Sequence, residues 1–266
     1  MKKLNESFKK KKLVVFDLDG TLTETKSNMD SEMARLFSRL LRNKQIAVIG
    51  GGKYALFRRQ LLRPLRRSKR LLHNLFLFPT TATSFYRYRH GWKKVYVKEL
   101  SKRERTMIKK AFKKSFREIN YIEPERTYGK VLEDRGTQVT FSALGQDVVA
   151  MLGKKGVFLK KAWRDENTSI KLKLARTLQK HLPGLEVRAA GYTSIDVTRK
   201  GIDKAYGIRQ IKKHLGISTR DMLFVGDALF LGGNDYAARK TGVECLSVSG
   251  PQETKKFIRF LLKNDN

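Results

Sequence analysis

The chain is poor in cysteine, proline and acidic side chains. Its 266 residues hold one cysteine, five prolines and 25 Asp+Glu against 58 Lys+Arg. The lone Cys245 excludes an internal disulfide and a cysteine-based metal centre. Long apolar runs are missing as well. The run ahead of Asp17, Leu13 to Phe16, is four residues. A secretory signal needs about 7–15 apolar residues and a membrane helix about 20. The expectation is a soluble cytoplasmic protein with no membrane partner. An apolar share of 40% still suffices for a real core. The length allows one large domain or two small ones.

The scarcity of acids leaves a formal charge of +33. Residues 51–118 carry 21 Lys+Arg and 3 Asp+Glu, a net +18. Such a field attracts polyanions and phosphorylated ligands. A solvated lysine-rich surface is the plainer reading, beside non-specific polyanion binding and the steering of a small anionic substrate. No RNA-recognition, zinc-finger or helix-turn-helix signature accompanies the charge. Phe85, Tyr86, Tyr88 and Trp92 interleave with Arg87, Arg89 and Lys93. That pattern suits a nucleic-acid reader, but it fits two short strands with one buried face better.

Hydrophobic periodicity divides the chain. Lys12–Phe16, Gln45–Ile49 and Leu75–Phe78 read as buried strands, with helical segments at Asp30–Arg42 and around Phe57, Leu61 and Leu62. Alternating strands and helices imply a parallel α/β sheet. The pattern then changes. Hairpins are expected around His90-Gly91 and Arg135-Gly136, and helices over Ser101–Ile119 and Thr168–Leu182. Strands follow at Leu185–Ala189 and Ser194–Val197. This predicts a separate α+β unit over 85–192, inserted into a core made of 1–84 and 193–266. The first pattern resumes with a helix at Asp203–Leu215, strands at Met222–Val225 and Val243–Val248, a short helix at Asp235–Thr241 and a closing helix at Gln252–Leu262.

The chemistry concentrates at two strand ends. The first strand runs into Asp17-Leu18-Asp19-Gly20-Thr21. Carboxylates at the carboxyl end of a strand stand where open α/β sheets bind ligands. A calcium loop of the D-x-D-G kind is excluded, because it follows a helix and needs Glu at its twelfth position. That position is Asn28. A second strand ends in Gly226-Asp227, followed by Gly232-Gly233-Asn234-Asp235. Together the two suggest magnesium held by oxygen ligands. Lys204, at the start of a helix, supplies the positive charge that phosphate oxygens need. These parts suffice for phosphoryl transfer. Asp17 attacks phosphorus, Asp19 serves as acid and then base, and Asp17, the Asp19 carbonyl and Asp227 hold the magnesium. A water as second attacker makes a phosphatase; a sugar hydroxyl makes a mutase.

On these motifs the sequence resembles the haloacid dehalogenase superfamily, with its type IIB cap and, within it, the phosphomannomutase branch. The likeness runs from about Leu13 to the C-terminal helix. It implies a Rossmann-like parallel-sheet core with an inserted α+β cap that closes over the substrate. A homodimer through that cap is compatible with it. It implies Asp17 as nucleophile, Asp19 as acid/base, Lys204 as phosphate contact and Asp227 as metal ligand, with Asn234 and Asp235 in support. Arg135 is implied on a distal phosphate, and Ser194 and Asp196 on sugar hydroxyls. Three positions depart from the branch. Gln146 and Lys26 stand where the mutases carry arginines. Gly51, Gly52 and Lys53 follow the second strand without the usual hydroxyl, so backbone N–H groups and Lys53 are left to hold the phosphate. A mutase must grip both ends of its substrate, so the loss at Gln146 favours hydrolysis. The expectation is a magnesium-dependent sugar phosphatase, with a phosphosugar mutase as alternative. A basic nucleic-acid binder on the same scaffold is the third reading.

Overall fold

The computed structural model describes residues 4–65 and 69–263. Two compact units divide the chain, one of residues 1–97 and 203–266, the other of residues 98–202.

The first unit is built on a seven-stranded sheet. Its strands are β1 (Leu13–Asp17), β2 (Gln45–Ile49), β3 (Leu75–Phe78), β4 (Ser84–Tyr88) and β5 (Trp92–Val97), later joined by two more. Every residue of β1 is buried, as expected for a parallel strand covered on both faces. The Ser31–Asn43 helix starts where Asp30 accepts a hydrogen bond from the Met33 N–H at 2.8 Å. Its Met33, Leu36, Phe37, Leu40 and Leu41 enter the core. After β2 the chain makes one helical turn, Tyr54–Phe57, and then a π-helical turn, Arg58–Leu62.

In the second unit, β6 (Leu132–Asp134), β7 (Val139–Ser142), β8 (Leu185–Ala190) and β9 (Ser194–Arg199) form an antiparallel sheet in the order β6-β7-β9-β8. The Lys102–Glu118 and Lys154–His181 helices pack on it. Phe112, Phe141, Leu174, Leu178, Ile195 and Val197 share one buried cluster. Ser101 and Glu104 close a capping box at the first of these helices.

The first unit is completed by the Lys204–Leu215 helix, β10 (Met222–Gly226), β11 (Glu244–Ser247) and the Pro251–Leu262 helix. Its sheet order is β11-β10-β1-β2-β3-β4-β5. The chain runs to one side of β1 first and fills the other side last. Strand order therefore reverses between β1 and β10, the place where doubly wound sheets open a crevice.

Two expectations change. The boundaries fall at 97/98 and 202/203 rather than at 84/85 and 192/193. The hairpin β4–β5 pairs with β3, Phe76 opposite Arg87 and Leu77 opposite Tyr86, so it extends the first sheet. Strand β9 pairs with β7 and β8 and belongs to the second. The helix expected at Thr168–Leu182 begins instead at Lys154, behind a short helix at Val148–Leu152. Gly156 is needed there: a Cβ on it would lie 2.4 Å from the Val148 carbonyl oxygen. No helix among the described residues is long and apolar enough to cross a membrane.

Candidate active site

Asp17 ends β1, and the chain turns sharply behind it. Gly20 takes φ +88°, and a Cβ there would lie 2.5 Å from an Asp227 carboxylate oxygen. Glycine alone accepts both the conformation and the approach. Gly226, at the end of β10, has the same duty, since its Cβ would stand 2.3 Å from the Asp235 carboxylate. The loop after β10 is tied back on itself: the Ala228 N–H donates to Asp235 Oδ2 at 3.2 Å.

These turns gather three carboxylates. Asp17, Asp227 and Asp235 each offer an oxygen, and the three atoms lie within 4.8 Å of one another. The Lys204 ammonium donates to Asp17 and stands 3.0 Å from Asp235. Asp203 caps the helix that carries it, accepting from the Tyr206 N–H at 2.8 Å. Asp17, Lys204 and Asp235 are buried. The Thr21 hydroxyl, also buried, donates to Asp227 Oδ1 at 3.2 Å.

Three acids beside one base leave negative charge uncompensated. Burial pushes the Asp17 carboxyl well up; Lys204 pulls it down, while Asp235 and Asp227 add to the rise. Burial, and then the charge of Asp235, pushes Asp227 up to about 6. Burial alone would favour neutral Lys204, but Asp17 and Asp235 outweigh it and hold the ammonium above the usual lysine range. Hard carboxylate oxygens in excess over a single ammonium suit a divalent cation such as magnesium. Asn234, expected in the same group, is exposed.

Asp19 is half-buried, and its carboxylate lies outside the group of three. Its Oδ1 accepts from the Lys26 backbone N–H at 2.6 Å and from the Gln60 amide at 3.2 Å. Lys26, expected to reach substrate with its side chain, thus acts here through its backbone, at φ +54°. Gln60 is fully buried in the π-helical turn and also donates to the Ser27 carbonyl at 2.9 Å.

The glycine loop follows β2. Gly51 is half-buried, Gly52 buried and Lys53 exposed. A turn after β3 braces it: the Thr80 N–H donates to the Gly52 carbonyl and the Thr81 N–H to the Gly50 carbonyl, both at 2.9 Å. Thr80, Thr81 and Ala82 all lie in the left-handed region, with φ +49°, +54° and +62°.

The remaining candidates belong to the second unit. Arg135 is nearly buried, its Nε donating to Glu133 at 2.8 Å and its Nη2 to Gln146 Oε1 at 3.0 Å. Gln146 therefore holds the arginine as well as standing beside it. Its own amide donates to the Thr140 carbonyl at 3.4 Å. The Thr140 hydroxyl donates to Asp196 Oδ1 at 2.7 Å, and Ser194 is buried on the same strand as Asp196. Sequence reasoning overlooked Thr21, Gln60 and the Thr80–Ala82 turn. Thr21 could have been found, since it directly follows the Asp-Gly turn; nothing local marks the other two.

Among curated relatives, a phosphomannomutase of Encephalitozoon cuniculi is 26% identical over 257 residues, covering 95% of this chain and 94% of its own. The phosphomannomutase of Saccharomyces cerevisiae is 26% identical over 258 residues, covering 92% of each. The fold resembles that of an IMP-nucleotidase of Plasmodium falciparum, with a TM-score of 0.70, 16% identity, and 97% of this chain aligned to 62% of that one. A haloacid dehalogenase-like hydrolase of Bacteroides thetaiotaomicron gives a TM-score of 0.60 at 13% identity, over 95% of this chain and all of its own. Residues 14–237 match the family of haloacid dehalogenase-like hydrolases. Strand order, carboxylate strand ends and that match converge, and the chain belongs to the haloacid dehalogenase-like hydrolases as an enzyme acting on phosphate esters.

Proposed function

We propose that the protein is a magnesium-dependent phosphatase acting on a phosphorylated sugar through an aspartyl phosphate. The observation that carries the choice of hydrolysis is the pairing of Arg135 with Gln146 and Glu133. One guanidinium, half neutralised by a carboxylate, is a weak grip for a second phosphate.

The Asp17 carboxylate attacks phosphorus, and the bond to the leaving oxygen breaks. Asp19 gives the leaving oxygen a proton as its bond to phosphorus breaks. In the second half Asp19 takes a proton from water, the water oxygen attacks phosphorus, and Asp17 leaves as a carboxylate. The Gln60 amide and the Lys26 N–H fix the direction of Asp19. Lys204 stabilises the charge that develops on the phosphoryl oxygens. A magnesium ion bound by Asp17, Asp227 and Asp235 would add Lewis-acid neutralisation of the same oxygens. Arg135, Ser194 and Asp196 would be the groups that recognise the sugar, and the cytosol would be the place of action.

The relatives named phosphomannomutase, aligned over more than nine-tenths of both chains, favour a second reading, the phosphosugar mutase. Phosphorus NMR separates the two. Protein, magnesium, mannose 1-phosphate and a trace of the 1,6-bisphosphate should release free phosphate, and Gln146→Arg should shift the product toward the 6-phosphate. Conversion to the 6-phosphate by the unaltered protein would reverse the order.

A further inference from the structure

Between Glu32 and Glu99 the chain contains no Asp or Glu, but 11 Arg and 6 Lys. Elsewhere the bias runs the other way, 13 Arg to 28 Lys. A generic solvated surface in a lysine-rich protein has no reason for that switch. Arginine differs from lysine in its planar fork of donors, which matches phosphate oxygens, and in its ability to stack. The candidate active site uses none of these eleven arginines.

Three of them sit together. The π-helical turn and the residue that follows it carry Arg58, Arg59 and Arg63, which line an open groove of about 420 Å³ with Ala55, Leu62 and Trp92. Arg58 and Arg63 are exposed and Arg59 half-exposed. The groove has no acidic wall. Trp92 is half-buried, its ring fixed edge-on by Tyr88 at 5.7 Å. Beside it Tyr54 stacks on Tyr86, ring centres 4.0 Å apart. Lys94, opposite Tyr86 in the β4–β5 register, adds another exposed cation. The basic surface continues. Tyr88 also meets His73 edge-on at 5.4 Å. The next residue, Asn74, lines a second open cleft with Lys10 and Arg42, where Lys11 and Lys12 are paired with Glu244 and Asp221.

We propose that this face binds single-stranded nucleic acid, with Arg58, Arg59 and Arg63 on backbone phosphates and a base stacked on Trp92. A small phosphate ester would find no enclosing walls here. A strand finds an open track, forked donors along it and a rigid indole, and every base has a face to stack. The site goes beyond the phosphatase reading and needs none of its residues.

The test is fluorescence anisotropy of a labelled twelve-nucleotide oligouridine with the full chain, titrated across salt concentrations. Single strands lose about 0.7 in the slope of log affinity against log salt for each phosphate contact removed. The triple variant Arg58→Gln, Arg59→Gln, Arg63→Gln should thus flatten that slope by about 2. The matched variant Lys110→Gln, Lys113→Gln, Lys114→Gln, with the same charge loss on exposed positions of the other unit, should leave it unchanged. Trp92→Ala should weaken binding about tenfold, and Trp92→Phe, which keeps a ring to stack and to pack, should restore most of it. Inorganic polyphosphate should bind more weakly than the oligouridine. Equal losses in the two triple variants would overturn the proposal. So would polyphosphate binding as tight as that of RNA, or indifference to Trp92→Ala in a folded variant.

Discussion

The two polar centres of the molecule handle charge in opposite ways. In the first unit, Asp17, Asp227 and Asp235 crowd one ammonium, and the carboxyls of Asp17 and Asp227 are driven upward. In the second, Arg135 has a carboxylate and an amide of its own, and Asp196 has the Thr140 hydroxyl. The first centre sets three carboxylates against one ammonium, an excess of negative charge that a bound cation would offset. The second is complete as it stands. Crowded like charges shift the pKa values of a buried centre, whereas groups paired from within the fold are already satisfied.

The sharpest break is Asp17→Asn. It removes the proposed nucleophile and should lower kcat by about four orders of magnitude or more, read by phosphate release under saturating substrate. Arg135→Ala tests the satisfied centre. Removing the guanidinium that pairs with Glu133 should cost about 3 kcal/mol, measured by urea unfolding, and should raise KM more than it lowers kcat. Glu133→Gln in the same background should return part of the stability without restoring KM. Asp227→Asn probes the frustrated centre in the reverse sense. With magnesium chelated, the variant should melt higher than the parent, by about 2–4 °C for each kcal/mol of repulsion relieved. Added magnesium should then raise the parent's melting temperature and leave the variant's nearly unmoved. Equal responses would mean that Asp227 takes no part in cation binding.

The smallest effect belongs to neither centre and calibrates both. Hydrogen bonds from Arg199, and then from Ser101, outweigh partial burial and hold the Glu104 carboxyl down at about 2. A carboxyl depressed in the fold contributes stability above its unfolded value of 4.5, and loses that contribution as pH falls through the folded value. Arg199 is exposed and Glu104 only half-buried, so solvent screening keeps the contribution under about 1 kcal/mol. Glu104→Gln should therefore be slightly destabilised at pH 7 and should converge on the parent in unfolding experiments as the pH approaches 2.

What could be read from the sequence follows the range of the forces involved. The strand ends at Asp17 and Asp227 were legible because buried β-branched runs, glycines and carboxylates lie side by side in the chain. The Ser101 cap was legible for the same reason. The hairpin at residues 84–97 was legible as a hairpin, but not as part of the first sheet, because its alternation is identical whichever neighbour it pairs with. The start of the long helix at Lys154 was hidden by Gly156, whose purpose appears only when Val148 is packed against it. Gln60 carries no local mark at all. Its link to Asp19 spans 41 positions and depends on a π-helical turn that no periodicity announces.

The turn at Thr80–Ala82 has one more consequence. Left-handed backbone costs a residue with a Cβ roughly 1–2 kcal/mol, and here three such residues follow one another, two of them β-branched. Glycine or asparagine would hold the same shape at lower cost. The fold thus keeps a strained turn beside its glycine loop, held by the bonds of Thr80 and Thr81 to Gly52 and Gly50 and of Thr80 to Thr83. Thermal robustness and accuracy at the site are separable quantities in such a design. A sequence selected only for a higher melting point would be expected to relax residues 80–82 first, long before it touched the carboxylates that the turn stands behind.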